Sequence, residues 1–100
     1  MRLGSTPKHT FTLPFETDLI QELKITYSQN KKIILEKHLA DCKVDKNSVS
    51  YILTQEETFL FANDVNVECQ VRVLTTAGDA LASNIRIVTA ERCLDREVLK

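Results

Sequence analysis

Val65-Asn66-Val67-Glu68-Cys69-Gln70-Val71-Arg72-Val73 decides the fold. Apolar residues hold every odd position and polar residues every even one. That two-residue period sends successive side chains to opposite faces of an extended chain. An unbroken run of this kind marks a strand with one face in a core and the other in water. Thr76-Ala77-Gly78-Asp79 follows as a hairpin turn, with Gly78 supplying a position of positive φ. The return strand, ending near residue 90, is read with Leu81, Ile85 and Ile87 directed inward. Gln70, Arg72 and Arg86 then share the outward face, either as a partner-docking patch or as a solvated polar surface.

Upstream of this pair the same period recurs. His9 to Phe15 alternates Thr10 and Thr12 with Phe11, Leu13 and Phe15, and Pro14, which has no amide to donate, ends the strand or places it at an edge. Residues 22–29 direct Leu23, Ile25 and Tyr27 one way and Glu22, Lys24, Thr26 and Ser28 the other. Asn30-Lys31 is a tight connection to a strand at 32–38, where the adjacent Ile33 and Ile34 imply a bulge or burial on both faces. Residues 39–47 form a loop or short edge strand, and Val49, Tyr51 and Leu53 lie on the inner face of a strand at 48–54. Thr54-Gln55-Glu56-Glu57 is a capping box, which predicts a helical turn over about 55–61 with Leu60 and Phe61 docked on the core.

Six or seven short strands and no long helix must pool their apolar faces. The fold expected is an all-β, immunoglobulin-like antiparallel sandwich with one helical turn over residues 8–90, a small β-barrel being the second choice. Residues 1–7 read as a flexible or strand-swapped arm and 91–100 as a charged tail, a frayed helical turn or disordered. The Cys…Trp…Cys signature of antibody domains is absent, since the chain has no Trp.

The chain has 100 residues, 13 Lys+Arg and 14 Asp+Glu, for a net charge of -1. That balance gives no basic footprint for nucleic acid and no attraction to an anionic membrane, so neither is an expected partner. Met1-Arg2-Leu3-Gly4 leads into polar sequence rather than a long apolar run, and the expectation is cytoplasmic synthesis without export and without a membrane span. Cys42, Cys69 and Cys93 are odd in number, widely spaced and outside any CxxC pair, so neither a disulfide framework nor a zinc site is expected. Cys69 reads as a small buried hydrophobe, and Cys42 and Cys93 as partly exposed. His9 and His38 stand apart as surface or strand-edge residues. No phosphate-binding loop, nucleophile elbow or carboxylate pair marks an enzyme, and no cofactor is expected.

Several strings resemble one family: Thr6 to Phe15, Ile25 to Gln29, Leu53 to Thr58, Gln70 to Val73 and Gly78 to Ser83. It is a family of short phage and prophage proteins of Gram-positive bacteria, often encoded among tail and baseplate genes. There is also a weaker likeness to the N-terminal domain of phage baseplate upper proteins. The resemblance spans nearly the whole chain and rests on strand, cap and turn motifs. It implies a non-enzymatic structural or assembly module of the virion, made in the bacterial cytoplasm, that binds other phage proteins. The alternative is a small cytosolic protein that modulates a host factor. Residues 8–13, uncharged after Lys8 and next to the arm, add the expectation that the first strand or a sheet face pairs with another chain, giving a homodimer or a larger phage assembly by strand addition, a monomer being the alternative.

Overall fold

The computed structural model describes residues 1–100. Two antiparallel sheets pack face to face. The smaller holds β1 (Lys8–Thr12), β5 (Ser48–Ile52) and β4 (Lys43–Val44) in the order β1-β5-β4. The larger holds β3 (Lys32–His38), β2 (Ile20–Gln29) and β6 (Asn66–Thr75) in that order, and then β7 (Ala80–Ala82) and β8 (Arg86–Thr89), which both pair with β6. These orders match the B-E-D and C′-C-F-G layers of immunoglobulin-like domains. Both sheets keep free edges, so the molecule is a sandwich and not a closed barrel. Its extents are 47 × 30 × 16 Å, those of a thin slab.

The alternation around Val65–Val73 does what its period requires. Val67, Cys69, Val71 and Val73 are buried, as are Leu23, Ile25 and Tyr27 opposite them on β2. Phe11, Val49, Tyr51 and Leu53 meet them from the smaller sheet. Asn30 and Lys31 both adopt positive φ (51° and 65°), the backbone of a two-residue hairpin whose twist suits its strands. The bulge expected at the paired isoleucines is present: Tyr27 faces Leu35 and Ser28 faces Ile33, leaving Ile34 as the extra residue.

The capping box forms. Thr54 Oγ1 accepts from the Glu57 amide at 3.1 Å, and Glu57 Oε1 accepts from the Thr54 amide at 2.9 Å. The helix α1 is shorter than expected, Gln55–Thr58. Phe61 is buried edge-on against Tyr27, whereas Leu60 is exposed. Below α1, buried Gln29 donates to the carbonyls of Ala62 and Val65 and accepts from the Ala62 amide, fixing the loop into β6.

Three expectations need correction. Residues 1–7 are a docked segment: Leu3 is buried, Arg2 bridges Glu91 in parallel, and the Gly4 amide donates to Thr58 Oγ1. A large apolar residue at position 3 is the physical reason, because the core has room for it. The tail 91–100 forms no helix, yet it is tied to α1: Gln55 exchanges two hydrogen bonds with the Leu99 backbone, and Arg96 stacks on Phe59. The return strand is not continuous. Leu81, Ile85 and Ile87, expected inward, are each about half exposed.

Candidate functional site

The interruption of the return strand builds the site. β7 keeps register with β6, placing Leu81 opposite Val73. At Ser83 the ladder changes hands. The Ser83 amide donates to the Val71 carbonyl at 2.8 Å, but the Val71 amide donates to the Ser83 hydroxyl at 3.0 Å, a side chain standing in for a carbonyl. Asn84 and Ile85 bow out of the ladder, and pairing resumes with Arg86 opposite Cys69 and Val88 opposite Val67. Before the bow, odd-numbered residues face inward; after it, even-numbered ones do. Because opposed residues share a face, Arg86 lies with Cys69 on the inner side.

This takes Arg86 out of the outward patch expected of Gln70, Arg72 and Arg86. Gln70 lies on the outer face, but its amide donates to the Ser83 carbonyl at 2.9 Å and ties down the bow. Arg72 is exposed on that face, opposite Lys24 and Ala82. Arg86 turns to the other side, where its guanidinium lies 4.7 Å from the Phe11 ring and donates to the Thr10 carbonyl at 3.3 Å. The structure keeps Gln70 and Arg72 on one face and removes Arg86 from it.

It brings together a different set. The smaller sheet does not cover the full width of the larger one, and an apolar groove of about 510 Å³ opens between the end of β1 and the β7–β8 edge. Phe11, Leu13 and Phe15 line one wall, Leu81 and Ile85 the other, and Val71 and Val73 the floor. Arg86 is its one charged lining residue, and no carboxylate pairs with it. The opening lies beside β1, where an immunoglobulin-like sheet has room for another strand. One clue was present in the sequence. The alternation Phe11, Leu13, Phe15 runs on past Pro14, so apolar residues continue beyond the end of the ladder.

Behind the groove lies a polar row. Tyr27, Cys69 and Arg86 are neighbours across β2, β6 and β8, and His9 of β1 reaches in from the other sheet, its Nδ1 2.8 Å from the Tyr27 hydroxyl. His9 is thus a half-buried, hydrogen-bonded group rather than an isolated surface residue. Burial, and then the Arg86 charge, lower its pKa. Burial raises the Tyr27 hydroxyl well above its ordinary range and pushes the Cys69 thiol up to about 11. Cys69 is therefore a desolvated thiol held protonated, the opposite of an activated nucleophile. No three His, Cys, Asp or Glu side chains converge as metal ligands.

On the far side of the sandwich, Lys37 Nζ lies 2.7 Å from Glu57 Oε2, and the Tyr51 hydroxyl donates to the same carboxylate at 2.6 Å. Burial alone would raise the Glu57 pKa, but the bonds from Lys37, Tyr51 and the Thr54 amide outweigh it and leave it lowered. The bond to Glu57 raises Lys37. This cluster joins β3, β5 and α1, and its geometry is that of a structural clamp.

Comparison of the chain with protein-family models, with curated proteins and with solved structures finds no match. No helix is long and apolar enough to cross a membrane.

Proposed function

We propose that the chain is a non-enzymatic structural or assembly module of a phage or prophage particle, acting through contacts with other phage proteins or further copies of itself. One observation carries the binding role: the open apolar groove between β1 and the β7–β8 edge, rimmed by half-exposed Leu81 and Ile85. Apolar surface gathered in a concavity beside a free strand edge is the kind that partners cover. The particle setting draws on the likeness of the strand, cap and turn strings to phage tail and baseplate proteins. On this reading the chain is made in the bacterial cytoplasm and built into the virion.

The test places a photo-cross-linking residue at Leu81 on the groove rim, or at exposed Glu22 as a control, in the phage that encodes the chain. The expected result is a chain that sediments with purified particles and cross-links to a particle protein from position 81 but not 22. A chain found only in infected-cell cytosol, cross-linked to a host protein, overturns the particle role and favours a host-directed one.

A further inference from the structure

The backbone of β1 shows what kind of molecule the groove is built to hold. The Pro7 carbonyl accepts from the Leu53 amide at 3.0 Å, and the Leu13 amide donates to the Asn47 carbonyl at 2.7 Å. The odd-numbered backbone groups of this segment therefore face β5. Those of Lys8, Thr10 and Thr12 point to the other edge, where no strand lies, since β1 pairs with β5 alone. At that edge the Thr10 carbonyl takes its bond from Arg86, and 3.3 Å is beyond the usual N–H···O range. Arg86 is a stand-in donor where a strand amide would sit. Its guanidinium, which has no carboxylate partner, is the only charge lining an otherwise uncharged groove.

We infer that the groove takes an extended segment of a partner protein, apolar at alternate positions and carrying one carboxylate, laid as a strand along the free edge of β1 with that carboxylate on Arg86. This rests on the binding-module reading and adds the chemistry of the partner. An incoming amide replaces Arg86 on the Thr10 carbonyl. Arg86 then pairs with the carboxylate in the two-pronged geometry that guanidinium favours. Alternate apolar side chains fill the space between Phe11 and Leu81, and the intervening ones face solvent. A helical segment leaves the β1 edge unpaired, and an uncharged ligand leaves the cation unmatched.

The experiment pans a randomised heptapeptide library against the full chain. Enriched peptides are expected to alternate apolar residues around one Asp or Glu, and to shift the amide resonances of Thr10, Thr12 and Arg86. N-methylation of alternate peptide amides should abolish binding. Arg86→Gln should weaken it about tenfold, the scale of one lost charge-assisted bond. Leu81→Glu, at a half-exposed rim position where folding is not at stake, should weaken it as well by repelling the carboxylate. Melting curves confirm that both variants fold.

Three results overturn the inference: no enrichment, enriched peptides without an acidic residue, or binding indifferent to methylation and to Arg86→Gln. A dimer in light scattering that Leu81→Glu disperses and that excludes the peptides assigns the groove to a second copy and overturns it too. Cross-linking to particles from position 81 with failed panning removes only this inference. Successful panning with no particle association removes only the particle role.

Discussion

The two open sides of the sandwich are closed by different chemistry. On the β3 side, Lys37, Tyr51 and the Thr54 amide converge on one carboxylate, Glu57, and the two charges of that cluster pair with each other. On the β8 side a single guanidinium reaches across, lies on Phe11 and bonds a backbone carbonyl, with no opposite charge. A part-buried carboxylate holding several bonds is expensive to expose, so the first side stays shut. A lone exposed cation over an aromatic ring contributes little and is free to exchange partners. The same sheet pair thus has one side sealed by paired charge and one closed only by a lone cation.

The largest expected effect comes from breaking the sealed side. Glu57→Ala removes the side-chain half of the capping box and takes the carboxylate away from Lys37 and the Tyr51 hydroxyl. It should cost about 2 kcal/mol in urea unfolding, the scale of lost hydrogen bonds to a charged group. Thr54→Ala removes one bond of the same cluster and should cost about 1 kcal/mol; an unchanged melting curve would mean that the box is not stabilising. Arg86→Gln, on the open side, should cost about 0.5 kcal/mol. If it proved as damaging as Glu57→Ala, the contrast between the sides would be lost.

Acid titration sharpens the contrast with the smallest effect. His9 has a lowered pKa when folded, so the unfolded chain binds its proton first. Stability should decline as the pH falls below 6.5, its ordinary value, toward the lowered one. Glu57 is also lowered, and the stability it supplies is present above its ordinary 4.5 and is lost as pH falls through the folded value. The groove side should therefore weaken at a higher pH than the clamp. His9→Asn should flatten the upper limb and leave the lower one; a single step near 4.5 in the unaltered chain would show that His9 does not contribute.

Local signals carried most of the fold. The period at Val65–Val73, the Asn30-Lys31 turn, the doubled isoleucine and the capping box each depend on residues close in sequence, and each formed. What escaped depends on distance. Leu81–Thr89 reads as one strand because nothing nearby announces that the Ser83 hydroxyl will replace a carbonyl. That one substitution inverts the parity of all that follows, which is why Arg86 and Ile87 exchange faces. The groove was hidden for the same reason, since its walls are 70 residues apart in the chain, at Phe11 and Leu81. The Lys37–Glu57 pair joins residues that meet only once both sheets have packed.

The bow at Ser83 also divides β6 in time. Its Asn66–Cys69 half is matched by the four residues of β8, beneath Val88 and beside the docked Leu3 segment. Its Arg72–Leu74 half is matched by three exposed residues of β7. A short ladder with little buried apolar area opens by itself, without waiting for the whole domain to unfold. In deuterium, the β7 amides should exchange well before those of β8, although both belong to one hairpin. A single strand would then carry two lifetimes, the shorter at the rim of the groove.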